Sequence, residues 1–290
     1  MIDAHTAQAK GIILCADDFA FNQGVSSGIV ALAEQGRISA TSVMVLSPRW
    51  AGDAALLHDL RDRVDVGLHL DWTSDFAKAS GHGRSLGMAM IRAASGAFGH
   101  GAAKVATRGV IERQLDAFER HWKAAPDFVD GHQHVQQFAG LREALVEILT
   151  SRYGCTGERS ATRVGALPYL RISRAPAGQA DFKARVIAAM GADALEKIAA
   201  DAGLACSAAL FGIHDFAGDG ARYARLMARW MEAAPARCII MCHPAQSAAA
   251  DDPIGPARVR EFSYLRGSDF AATLTRTGVK LVRGRSLARA

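Results

Sequence analysis

Cysteine pairs spaced to grip a metal or to exchange with each other occur nowhere in this chain. Its five cysteines (Cys15, Cys155, Cys206, Cys238 and Cys242) are odd in number and show no CxxC spacing. Four lie in apolar runs, so they are expected to be small core residues of a reducing compartment rather than disulfides. Long hydrophobic runs are missing too, and nothing approaches the ~18 apolar residues that a membrane span requires. The opening "MIDAHTAQAK" carries an acid at position 3 and is followed by only a short apolar stretch. That fits neither a signal peptide nor a span, so a cytoplasmic protein without integral membrane association is expected. A strong charge imbalance is also lacking: the net charge is +5 with a pI near 9.1. The one basic cluster is the C-terminal "RTGVKLVRGRSLARA", which reads as a solvated last turn and tail; no nucleic-acid partner is expected.

What the chain does have is core material, half of its 290 residues being apolar and 22% charged. Short β-rich runs alternate with longer helical patterns. The strand candidates are Gly11–Ala16, Ala40–Leu46, Val64–Leu70, Asp127–Asp130, Arg163–Ala166, Ser207–Gly212, Arg237–Cys242 and Val279–Val282. Helical patterns cover Val25–Gln35, Ile111–Lys123, Leu141–Arg152, Phe182–Ala202, Ala221–Ala233 and Ser268–Thr275, with Gly36 and Gly203 as helix-ending glycines. This alternation implies a parallel α/β architecture, and a barrel and an open doubly wound sheet both satisfy it. With no repeat and no Pro/Gly/Ser linker, residues 1–290 are expected to form one domain. Two segments, 72–106 and 245–257, break the alternation and read as loop insertions. Both follow strand candidates, which places them at the carboxyl-end rim where such folds build their sites.

Polar residues collect at the strand ends. Asp17 and Asp18 close the first run, and His69 stands in "VDVGLHLDW". Asp130, His132 and His134 follow in "DFVDGHQHVQQF", His214 and Asp215 in "LFGIHDF", and His243 in "CIIMCHP". Two adjacent carboxylates repel each other and are costly to bury unless a cation sits with them. Taken singly, each residue has a plainer reading. Asp17 and Asp18 suit a helix N-cap, His69 a satisfied core histidine, and the later histidines ordinary loops. Four separate strand ends carrying His or Asp, apart from His69, form the stronger pattern. Asp with two His is a sufficient N/O ligand set for a divalent ion with open positions.

These pieces resemble the YdjC/ChbG family of carbohydrate deacetylases, which includes HpnK-like members. The matching segments run from "ILCADDFAFNQGVSSGIVALAEQGRISATSVMV" through "VGLHLDWTS", "DGHQHVQQF" and "PYLRISRAP" to "MCHPA" and "RVREFSYL". The resemblance implies a distorted TIM-like (β/α) barrel of the glycoside hydrolase/deacetylase type and metal-dependent removal of an acetyl group from an N-acetylated sugar. Its metal ligands fall on Asp18, His69 and His132, and its catalytic base on Asp17. The departures are Ala20, Gln136 and Ala245, where the family pattern reads closer to "ADDFG", "HQHVH" and "HPG"; they bear on substrate choice more than on chemistry.

On that footing His243 is the candidate acid for the sugar nitrogen. His134 and His214 would share that role or support the ligands, Arg171 would orient the substrate, and Asp215 stands with this outer group. The implied cofactor is one divalent ion, Mg2+ or Zn2+, with Mn2+, Co2+ or Fe2+ compatible by ligand softness. The implied partner is a small N-acetylated sugar such as a chitooligosaccharide or a glycolipid headgroup, and a homodimer is compatible with the pattern. Two rival readings stand beside it: another metal-dependent hydrolase such as a phosphoesterase, and a non-catalytic sugar-binding protein.

Overall fold

The computed structural model describes residues 10–154, 167–176, 178–179 and 181–286. The short apolar runs become strands: β1 (Lys10–Phe19), β2 (Ala40–Val43), β3 (Asp65–Leu70), β4 (Phe128–Gly131), β5 (Tyr169–Leu170), β6 (Leu210–Phe211), β7 (Ile239–Cys242) and β8 (Val279–Leu281). The helices are α1 (Gln23–Glu34), α2 (Trp50–Asp53), α3 (Asp75–Ala79), α4 (Leu86–Ala94), α5 (Gly101–Trp122), α6 (Leu141–Tyr153), α7 (Phe182–Ala189), α8 (Ala192–Asp201), α9 (Gly220–Ala233), α10 (Gly255–Arg266) and α11 (Ser268–Thr277). The strand expected at 163–166 lies outside the described residues, and the fifth described strand is Tyr169–Leu170.

All pairings in the sheet are parallel, in the order β5-β4-β3-β2-β1-β7-β6. Backbone bonds from Leu170 N to Ala205 O and from Ser207 N to Leu170 O (both 2.9 Å) join β5 to the segment leading into β6. The sheet thus curls into a distorted, TIM-like barrel whose last seam is irregular. β8 does not take the regular eighth place. It pairs with the lower part of β1, Lys10–Ile12, while the upper part, Ile13–Ala16, pairs with β7.

The two-residue period of a strand sorts the core into two layers. Ile13, Cys15, Phe128, Tyr169, Ile239 and Met241 share one small apolar cluster inside the ring. Their neighbours Ile12, Leu14, Val129, Leu170 and Ile240 join the larger core beneath the helices. Space within the ring is tight: a Cβ on Gly67 would come within 2.6 Å of the Phe128 ring. Below this layer, Arg283 Nε donates to the buried Asp65 at 2.8 Å, and Arg285 pairs with Asp127. Two arginines of the C-terminal basic cluster are therefore engaged under the barrel.

Gly36 and Gly203 do end their helices, at φ of +64° and +74°. The helix expected over 182–202 is broken at Gly191, whose φ of +127° separates α7 from α8. Segment 72–106 is not one open loop. Ser74 and Ser85 accept backbone N–H bonds and start α3 and α4, and α5 begins at Gly101. Segment 245–257 remains irregular up to Gly255, where α10 begins. Among the described residues no helix is long and apolar enough to cross a membrane.

Candidate active site

Above the apolar layer the same inward parity continues with polar residues. Asp17 follows Ile13 and Cys15 on β1, and His69 follows Gly67 on β3. Asp130 follows Phe128 on β4, Arg171 follows Tyr169 on β5, and His243 follows Ile239 and Met241 on β7. Strand register and alternation alone stack these five side chains at the carboxyl end of the ring. Asp18 breaks the parity, since successive residues of a regular strand face opposite ways. A register shift between Ala16 and Phe19 places Asp18 at φ +70°, a left-handed conformation that aspartate tolerates better than most residues. The kink turns Asp18 toward the histidines.

Asp18 Oδ1 lies 3.3 Å from His69 Nε2 and 3.4 Å from His132 Nδ1. That oxygen is buried and has no hydrogen-bond partner, whereas Oδ2 accepts from Arg258 Nη2 at 2.7 Å. One donor atom from each of Asp18, His69 and His132 lies within 4.8 Å of the others. An orphaned carboxylate oxygen facing two imidazole nitrogens fits a divalent ion of the N/O-preferring class. A second acidic trio, Cys15, Asp17 and Asp130, also gathers its donor atoms. It does not fit an ion, because the Arg171 guanidinium fills it. Arg171 Nη1 and Nη2 donate to the two oxygens of Asp17 at 2.8 and 2.9 Å, and Nη1 stands 3.0 Å from Asp130 Oδ2.

Charge in this enclosed site is organised by those cations. Burial opposes ionisation of Asp17, but Arg171 and the nearby imidazoles outweigh it and hold the carboxyl at about 2. Burial likewise opposes ionisation of Asp18, and Arg258 with the two histidines keeps it well below the usual carboxylate range. Burial disfavours a charged His69, yet the carboxylates of Asp130, Asp18 and Asp17 push it up to about 10. The surroundings of His69 therefore attract positive charge strongly. His243 is the reverse: burial lowers its pKa despite the neighbouring carboxylates. Its Nε2 stands 3.9 Å from Asp17 Oδ2, and the Phe216 ring covers it edge-on at 5.3 Å.

The remaining expected residues divide. The "HQH" segment is a tight turn with Gln133 and His134 both left-handed, so His132 and His134 diverge. His134 meets Ser173 Oγ at 3.0 Å, and burial lowers its pKa. His214 has both ring nitrogens engaged. Nδ1 accepts from Phe216 N at 3.2 Å and Nε2 faces Glu261 Oε1 at 3.0 Å, which leaves neither for a substrate. Asp215 does not join the cluster: its exposed carboxylate pairs with Arg222 at 2.6 Å. Arg171, expected to orient substrate, has both terminal nitrogens bonded to Asp17.

Residues that sequence reasoning left without a role complete the site. Glu261 of α10 accepts from His243 N at 2.7 Å and from Tyr223 Oη at 3.2 Å, and so fixes the loop that carries His243. Arg258, one turn earlier, bridges Asp18 and Asp252, each at 2.7 Å. Both stand in "RVREFSYL", where the resemblance to the family was the available signal. Of the three departures, Gln136 donates to Arg171 O and Ser173 Oγ, each at 3.1 Å. Ala20 adopts a φ of +70°, and Ala245 packs against Gly28 while its N–H reaches Arg258 O at 3.1 Å.

Parallel strands curled in this way and surrounded by helices define an α/β protein with a distorted, TIM-like barrel fold. The chain belongs to the YdjC-like protein family, which it matches over residues 11–276. No curated protein matches it. One similar solved structure comes from Enterococcus faecalis V583 and is provisionally described as a cellobiose-phosphate cleavage protein. It is 15% identical, with 96% of this chain and 98% of that one covered and a TM-score of 0.67. An uncharacterized protein of Agrobacterium tumefaciens C58 is 10% identical, with 97% and 90% covered and a TM-score of 0.55. The Xyl-CE4 domain of a multidomain xylanase, from the hindgut metagenome of Trinervitermes trinervoides, is 9% identical, with 97% and 90% covered and a TM-score of 0.51. At these identities the likeness is one of fold.

Proposed function

We propose that this protein is a metal-dependent carbohydrate deacetylase that hydrolyses the acetamido group of an N-acetylated sugar. One observation carries the reading: adjacent aspartates are divided between two tasks. Asp18 presents an unpartnered oxygen to two imidazoles, while Asp17 is turned to Arg171 and His243. Membership of the YdjC-like family and the fold shared with a CE4 domain support it.

Asp18, His69 and His132 would hold the ion. A divalent metal bound there supplies Lewis-acid polarisation of the acyl oxygen and lowers the pKa of water. Asp17, kept ionised by Arg171, accepts the proton of the attacking water as its oxygen joins the acyl carbon. His243, whose Nε2 stands 3.9 Å from Asp17 Oδ2, would receive that proton and give it to the departing nitrogen as the C–N bond breaks, leaving acetate and an amine. Arg171 and Glu261 act on position, the first by aiming Asp17 and the second by holding the backbone beneath His243. The ligand set suits Zn2+, and Mg2+, Mn2+, Co2+ or Fe2+ belong in the same test. A two-metal phosphoesterase loses support because Arg171 occupies the second acidic trio.

The test is acetate release from a panel of N-acetyl sugars, including chitooligosaccharides, after chelation and reconstitution with each ion. Release that requires a metal is expected. Binding of the sugars without release under any ion would overturn the proposal in favour of a sugar-binding protein.

A further inference from the structure

We infer that Asp130 is a positioning residue that ties the metal-binding half of the site to its base. The inference rests on the reading of Asp18, His69 and His132 as metal ligands. Asp130 is wholly buried and lies directly across the ladder from His69, its register partner on the neighbouring strand. Its two oxygens serve different halves. Oδ1 stands 2.6 Å from His69 Nδ1, and Oδ2 stands 3.0 Å from Arg171 Nη1. Arg171 in turn grips both oxygens of Asp17. A chain of contacts therefore runs Asp18, His69, Asp130, Arg171, Asp17, with one carboxylate at its centre.

A neutral imidazole carries its proton on one nitrogen only. A carboxylate against Nδ1 places the proton there and leaves the lone pair on Nε2, the nitrogen that faces Asp18 Oδ1. Ser42 Oγ also approaches Nδ1, at 3.1 Å, but a hydroxyl accepts or donates and does not choose a tautomer by itself. Asp130 makes that choice. The other oxygen accepts no hydrogen bond, but at 3.0 Å from Nη1 it sets a second negative charge beside Arg171, which holds the guanidinium between Asp17 and Asp130. Asp130 is no ligand itself, because the guanidinium lies where an ion would have to sit.

The experiment titrates Zn2+ alone into the chelator-stripped full chain, by competition with a chromophoric chelator, for wild type and Asp130→Asn. The amide keeps the shape but can turn its NH2 toward His69, which favours the tautomer that hides Nε2. Zn2+ affinity is expected to fall ~10- to 100-fold. Acetate release at saturating Zn2+ is expected to stay below wild type, because Arg171 has lost that second negative charge. Affinity within threefold of wild type would overturn the inference while leaving the deacetylase reading intact. A wild type that neither binds Zn2+ nor releases acetate would instead sink that reading. Should the variant fail to fold by circular dichroism, long-range 1H–15N spectra of the Zn2+-loaded wild type decide the matter. A proton on His69 Nδ1 with the metal on Nε2 supports the inference, and the opposite tautomer refutes it.

Discussion

Asp17 and Asp18 are neighbours in sequence, equally buried, and have separate partners. Arg171 holds one and Arg258 the other. Asp17→Asn is expected to retain Zn2+ while acetate release falls at least ~100-fold, the scale of a general base; parallel metal titration and turnover assays check it. The same carboxylates make the metal-free protein acid-sensitive. Asp17, Asp18 and Glu261 all have folded pKa values below their ordinary ones. The unfolded chain therefore takes up their protons first, and their stabilisation is present above the ordinary carboxyl range and lost as pH falls through the folded values. For Asp17, a drop from 3.8 to about 2 corresponds to stability on the order of 2 kcal/mol. Thermal melts of chelated protein should fall steadily between about pH 4.5 and 2, and less steeply for Asp17→Asn. His69 works in the opposite direction. Its pKa, raised to about 10, gives stability that is full below the ordinary histidine value and disappears as pH climbs toward it. Asp17, His69, Asp130 and His243 were legible in the sequence as polar residues closing strand candidates, where strand parity turns them inward; Arg171 was not, because the candidate strand before it was placed at 163–166. Asp18 was not placed by that parity, because only the backbone kink turns it inward.

At the scale of elements, α10 shows why a helix can be invisible to pattern reading. Its buried face carries Arg258 and Glu261, so no apolar stripe marks it, and "GPARVREFSYL" reads as mixed polar sequence. The same two residues brace Asp18 and His243, so the signal was lost to the demands of the site. The loop before α10 leans on α1 so closely that a Cβ on Gly28 would come within 2.8 Å of Gln246 N. Gly28→Ala must therefore push the loop away, at a cost of about 1–3 kcal/mol. A lowered melting temperature together with reduced turnover is expected, because the displaced loop begins just after His243. The α7–α8 break was hidden for a simpler reason. Gly191 inside an otherwise continuous pattern is tolerated in many helices, and its positive φ is visible only in the backbone.

At the scale of the whole molecule, the barrel separates chemistry from anchoring. The carboxyl end holds the aspartates and histidines, and the opposite end is clamped by Arg283 and Arg285 on Asp65 and Asp127. Arg283→Ala leaves a buried carboxylate short of a partner and should cost about 3 kcal/mol. Turnover of the remaining folded protein should be unchanged, as denaturation curves and steady-state rates will show. The parallel α/β class was legible from alternation, but the seam between β5 and β6 and the sideways β8 were not. They arise from backbone pairing that no side-chain pattern encodes.

The first strand touches three others along its length, β8 below and both β2 and β7 above. Amide protons of Ile13–Ala16 should therefore be among the last to exchange with heavy water, released only when most of the molecule opens. The two carboxylates ride on that strand, so their spacing should survive any opening short of one that unfolds most of the molecule.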